Sequence, residues 1–289
     1  MPIVVIVLDF DPVLRLGDVT IRWQTVALAA TIFAALCLAA GVARRSAMRP
    51  DDLLFVVVGI VPGAVIGGRI GATLAHADFY QRSLGSVLDP GQGTLSLSLA
   101  VAGGTLSGAI VARLLGTPVR AWLHIAAMPV LFGIAFGKLA MVLSAAGQGV
   151  PSELTWATAY LGPGPWSSLA PEIPSHPSQV YEAIVALAVL ALIAIVISFG
   201  VFRQPTGRAL LVGIAIWAFG RVIVGTVWRD ADVIGPFGVE QVLTLAVGIV
   251  FLALTLVPAV LPVPADQMLP QAPRQAGPEW PDPSTRPRF

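Results

Sequence analysis

Seven long apolar stretches divide this chain, at 21–43, 53–75, 94–115, 121–145, 179–201, 209–227 and 238–260, and they are almost free of charge. About 20 apolar residues in helical form cross about 30 Å of hydrocarbon. Lipid offers no partner to a free backbone N–H or C=O, so a helix is the form such a segment must take there. Charged residues make up 11% of the 289 residues, against about 25% in a soluble domain. A disordered chain, a coiled coil and an ordinary soluble enzyme are excluded. The expected fold is all-α: a polytopic membrane protein of seven transmembrane helices, with an outer-face loop between spans 4 and 5. The net charge of +1 supplies no basic surface for nucleic acid. Three histidines and one cysteine exclude a disulfide framework and a cysteine-based metal site. No metal or cofactor is expected. Cys37 lies inside an apolar run and is expected to be a small buried hydrophobe.

The first ten residues are apolar but carry no basic start and no small-residue cleavage site, so no signal peptide is expected. Basic residues in the connections set the orientation. Ten arginines fall on one side, and only Arg15, Arg22, Arg82 and Arg229 on the other. The first side is assigned to the cytoplasm, which puts the N-terminus outside and the C-terminus inside a multi-pass plasma-membrane protein. The membrane domain is expected over 1–260, with its long outer loop at about 146–178. From Pro258 onward nine prolines occur in 32 residues. Residues 261–289 are therefore expected to be a disordered cytoplasmic tail.

Three cations remain inside the spans: Arg69, Lys138 and Arg221. Each lies six or seven residues from the outer end of its span, or about 9–10 Å deep at 1.5 Å per residue. Each follows a glycine (Gly68, Gly137, Gly220), which lets helices approach closely. A single cation at this depth can snorkel to the head groups. Three at matched depth, in spans without Asp or Glu, point to a shared site. Burying them unpaired costs several kcal/mol each. Either an anion such as a phospholipid phosphate visits, or Glu182 or Glu240 reaches in from a helix end. Arginine suits phosphate, because its fork makes bidentate contacts.

Four further segments lie toward the same face. Ile21-Arg22-Trp23 reads as an interfacial anchor. Gly67-Gly68-Arg69-Ile70-Gly71 and Ala102-Gly103-Gly104 remove side chains where a helix or a ligand must come close. Ser175-His176-Pro177-Ser178-Gln179-Val180-Tyr181-Glu182 opens span 5, and Pro177 suits a first helical turn. Capping explains Pro177, but not the gathering of His176, Gln179, Tyr181 and Glu182 in one polar turn.

Together these residues resemble the prolipoprotein diacylglyceryl transferase family over about residues 13–250. His176-Pro177-Ser178-Gln179-Val180-Tyr181-Glu182-Ala183 is similar to the family's His-Pro-Ser-Gln-Leu-Tyr-Glu-Ala. The loop Gly149-Val150-Pro151-Ser152-Glu153-Leu154-Thr155-Trp156-Ala157 is similar to its Gly-x-Pro-Thr-Asp-x-Pro-Trp-Ala. Arg69, Gly103, Gly104, Arg221 and Gln241 fall in corresponding places. The resemblance implies transfer of a diacylglyceryl group from phosphatidylglycerol to the lipobox cysteine of a preprolipoprotein. It also implies seven helices with the N-terminus outside. The chain departs from the pattern at several positions. The family's His-Gly-Gly becomes Ala102-Gly103-Gly104, and its arginine in span 4 becomes Lys138. Met141 and Ala146 replace polar residues, Gln24 replaces an aromatic, and Gly225 replaces the glutamate one turn after Arg221.

On this reading Arg221 and Lys138 hold the lipid phosphate, Arg69 supports them, and His176 or Glu182 stands in as base for the absent histidine. Gly103, Gly104, Gly149, Gln179, Tyr181, Glu182 and Gln241 complete the substrate site. A second reading is a non-catalytic lipid- or lipoprotein-binding relative that kept the phosphate site and lost turnover. A third is a transporter for a small anion, since glycine-interrupted spans with membrane-embedded cations occur in such proteins.

Overall fold

The computed structural model describes residues 5–45, 50–87, 89, 95–202 and 205–256. The expected proline-rich tail lies outside the described residues. Seven long apolar helices run through the rest. They are α1 (Trp23–Arg45), α2 (Pro50–Ala75), α4 (Leu97–Leu114), α5 (Val119–Met141), α6 (Ser178–Ser198), α7 (Arg208–Val224) and α8 (Val239–Leu256), with a short α3 (Ala77–Arg82) after α2. Each of the seven coincides with an expected span to within a few residues. Large apolar side chains such as Ile32, Phe33, Leu54, Phe55, Ile184 and Ile249 face outward. Such a surface is stable against acyl chains and unstable in water. Seven helices of this kind make the chain a multi-pass membrane protein.

The core is built by α5, α6 and α7, where Leu131, Ile193, Leu210, Ile214 and Trp217 interlock, and α4 and α8 close it with Ala112 and Phe251. The tightest pairing is α2 on α4. A β-carbon on Gly103 would stand 2.2 Å from the Gly63 carbonyl oxygen, and one on Gly67 would stand 2.2 Å from that of Leu99. Backbone therefore meets backbone along this seam, which only glycine permits. Cys37 departs from expectation: it is exposed on the outer side of α1. A thiol is small and weakly polar, so lipid accommodates it as readily as a core does.

Short strands, which an all-helical reading leaves out, occur in the connections at one end of the bundle. They are β1 (Ile6–Leu8), β2 (Val13–Leu16), β3 (Val19–Arg22), β4 (Thr158–Tyr160), β5 (Asp232–Ile234) and β6 (Phe237–Gly238). β2 and β3 form a hairpin closed at Gly17, whose φ of 62° suits glycine. β1 pairs in parallel with β4. The segment before the first span is thus tied to the loop 146–178.

Candidate active site

The loop end of the bundle gathers the start of α4, the end of α5, the start of α6, the end of α7 and the start of α8. Two of the three span cations meet there. Lys138 on α5 is 8% exposed and Arg221 on α7 is 4% exposed. Between them stands Glu182 of α6, 3% exposed. Lys138 Nζ lies 3.0 Å from both carboxylate oxygens of Glu182, and Arg221 Nε donates to Oε2 at 2.7 Å. Arg221 Nη1 donates to Glu240 Oε1 at 3.1 Å, to Ser98 Oγ at 2.9 Å and to Thr244 Oγ1 at 2.8 Å. The indole of Trp228 covers the guanidinium at 4.5 Å. Two cations and two carboxylates make this set neutral. Of the two alternatives open from the sequence, the protein's own glutamates supply the counter-charge. Arg221 Nη2 has no hydrogen-bond partner among the described residues, so one edge of the fork stays available.

Arg69 makes its described contacts around the α2–α3 corner. Half-buried on α2, it donates to Tyr80 Oη at 3.5 Å and to the Asp89 carbonyl at 3.0 Å. Matched depth along the helix axis leaves open which way each of the three cations faces. The glycines before them also differ. Gly220 meets Val185 and Gly68 meets Leu95, at 2.5 and 2.9 Å from an added β-carbon, whereas Gly137 has only Leu28 at 3.8 Å. Gly103 and Gly104 sit in the α2–α4 seam, against Gly63 and Ile60, so their evident role is packing.

The polar turn opening α6 splits into two groups. Glu182 and the fully buried Gln179 point inward, with Gln179 Nε2 donating to Tyr160 Oη at 3.1 Å. Gln179 Oε1 is buried with no hydrogen-bond partner among the described residues. Burial pushes the Tyr160 phenol up to about 12. His176 and Tyr181 instead join the loop: Trp156 Nε1 donates to Tyr181 Oη at 2.7 Å, and His176 Nδ1 lies 3.3 Å from the same oxygen. No hydrogen bond links His176 to Lys138, Arg221 or Glu182. Glu182, clasped by both cations, is a counter-ion rather than a free base.

Gly149 is held closely. Its N–H donates to the His176 carbonyl at 2.8 Å, and a β-carbon there would lie 2.4 Å from the Val227 carbonyl oxygen. Gln241 packs over Gly225 and fixes the α7–α8 turn, donating to Val222 O at 3.1 Å and accepting from Gly238 N at 3.0 Å. Sequence reading missed Arg229, which counted there only as an outside charge. Its guanidinium donates to Gly149 O at 2.5 Å, Ser175 Oγ at 2.8 Å and Ser168 Oγ at 3.4 Å. It fastens both ends of the loop to the α7–α8 connection. Sequence reading also missed Ser96, Ser98 and Thr244, whose hydroxyls line the cluster.

An apolar groove of about 460 Å³ runs between α1, α5 and α6. Ala27, Thr31, Phe136, Leu139, Leu143 and Val180 are among its walls.

A family profile for prolipoprotein diacylglyceryl transferase matches residues 12–257. The chain belongs to the prolipoprotein diacylglyceryl transferase family. Relatives named phosphatidylglycerol–prolipoprotein diacylglyceryl transferase cover nearly the same length. The protein from Trichormus variabilis is 27% identical over 253 residues, 85% of this chain and 88% of the relative. That from Geobacter sulfurreducens is 29% identical over 245 residues, 81% and 90% of the two chains. That from Beijerinckia indica is 28% identical over 253 residues, 80% and 86%.

Against the pattern of the diacylglyceryl transferase family, the departures acquire positions. Lys138 keeps a positive charge beside Arg221 but without a fork. Gly225, where the family pattern has glutamate, is filled over by Gln241, whose Cγ would lie 2.4 Å from an added β-carbon. Ala102, where the family has histidine, lies one helical turn inward of Ser98 on the same face of α4.

Proposed function

We propose that this protein transfers the diacylglyceryl group of phosphatidylglycerol to the lipobox cysteine thiol of a preprolipoprotein in the plasma membrane, with its loop end and N-terminus outside. The observation that carries this reading is the buried Lys138–Glu182–Arg221–Glu240 set at the loop end, with an Arg221 edge left open. Arg221 and Lys138 hold the lipid phosphate. A phosphodiester anion brought to Nη2 adds negative charge beside two cations that the protein has already desolvated and oriented, so little reorganisation is left for the reaction itself. Glu182 sets the spacing of the two cations. The apolar groove between α1, α5 and α6 accepts acyl chain from the outer leaflet. The thiol sulfur then attacks the diacylglyceryl carbon, the bond from that carbon to the phosphate oxygen breaks, and glycerol phosphate leaves with its growing charge on Arg221 and Lys138. Arg69, which caps the α2–α3 corner, supports the site's rim rather than its phosphate.

The test is incubation of the purified protein with phosphatidylglycerol and a lipobox peptide, read by mass spectrometry. A gain of one diacylglyceryl group on cysteine is expected. The second reading, a lipid-binding relative without turnover, draws support from Ala102 and from the neutrality of the cluster. Lipid binding without any adduct selects it.

A further inference from the structure

The residues so far assigned leave the thiol proton without an acceptor. Free cysteine has a pKa near 8.5, so a neutral-pH reaction needs a base. Glu182 has both oxygens engaged by cations, and His176 is turned into the loop toward Tyr181.

Glu240 differs from both. Its Oε1 accepts from Arg221 Nη1 at 3.1 Å, Ser96 Oγ at 3.1 Å and Ser98 Oγ at 3.3 Å. Its Oε2 makes no hydrogen bond among the described residues. The side chain is 13% exposed, so the carboxylate is oriented but not sealed. Its place is telling. The carboxylate stands where α4, α7 and α8 meet, between the Ser96 and Ser98 hydroxyls and the Arg221 guanidinium. Arg221 on α7 is the charged group in contact with it, and Lys138 on α5 and Asp230 in the α7–α8 connection interact with it electrostatically.

We infer that Glu240 is the general base of this protein: its free Oε2 takes the proton of the lipobox thiol as the carbon–sulfur bond forms. The inference rests on the transferase reading. The step balances without a co-reactant. The S–H bond breaks and its proton goes to Glu240. The sulfur pair makes the new bond to carbon. The carbon–oxygen pair leaves on glycerol phosphate, which takes the proton back from Glu240, directly or through water.

The experiment compares wild type with Glu240→Gln for peptide lipidation at pH 7 and pH 9, alongside phosphatidylglycerol binding by native mass spectrometry. Glutamine keeps the shape and an acceptor for Ser96 and Ser98. At pH 7 the variant is expected to lose about 100-fold or more in rate while phosphatidylglycerol still binds. At pH 9 the deficit shrinks, because the peptide thiol ionises on its own. An unchanged rate in Glu240→Gln overturns the base assignment and leaves the transferase reading standing. An equal deficit at both pH values, with lipid binding lost, also overturns it and marks Glu240 as structural. A wild type that forms no adduct overturns both.

Discussion

Replacing Glu182 by glutamine keeps the side chain's shape and removes the charge that two buried cations share. The native set carries two positive and two negative charges. The variant carries two and one, in a site where Arg221 and Lys138 are almost wholly withdrawn from solvent. No cavity is created, so the cost is electrostatic. Breaking a buried ion pair by removing one partner costs about 3–5 kcal/mol, because the remaining charge is left uncompensated. Glu182 sits 2.7 Å from one cation and 3.0 Å from the other, so the loss falls in the upper half of that range. Adding Lys138→Met to Glu182→Gln returns the set to one charge of each sign and should recover more than half of the loss. The assay is SDS-driven unfolding in mixed micelles, followed by fluorescence of the seven tryptophans. A Glu182→Gln protein within about 1 kcal/mol of wild type, or a double variant less stable than the single one, refutes the pairing argument.

Gly103→Val forces a side chain into the Gly63 carbonyl and should cost about 1–3 kcal/mol or more in the same unfolding assay, whereas Gly41→Ala, with nothing within 4 Å of the new β-carbon, should be silent. Tyr160 should titrate near pH 12, above an ordinary phenol, seen as the difference in 295 nm absorbance between wild type and Tyr160→Phe across a pH titration. Because its folded pKa is raised, its contribution to stability is complete below about pH 10 and is lost as pH rises from about 10 toward 12. Arg229→Gln should loosen both anchors of the loop and speed limited proteolysis within 146–178 while lipid binding persists; an unchanged cleavage rate contradicts the clamp.

Hydropathy made the spans legible because length and apolarity follow directly from the thickness of hydrocarbon. The start of α4 shows where it stops being informative: the helix begins at Leu97 because Ser96 caps it, accepting from the Leu99 N–H, a local event that a hydropathy window averages away. β1 and β4 have three residues each, too few for an alternation to register. The cations show a deeper limit. Counting residues from a span end gives depth and leaves the angle around the helix open. Lys138 and Arg221 meet on Glu182 in the bundle core, and only packing decides that. Glu182 was legible as a possible partner because it lies close to a helix end. Ser98 and Thr244 were not, since a hydroxyl within an apolar run is ordinarily satisfied by its own helix.

Phosphatidylglycerol binding by native mass spectrometry, measured for wild type and Arg221→Ala side by side, addresses the phosphate-holding role most directly. Retention of bound lipid by the wild type and at least a tenfold weakening in a folded Arg221→Ala protein is the expected result. Equal occupancy in the two proteins would contradict it, and the buried charges at the loop end would then be scaffolding alone.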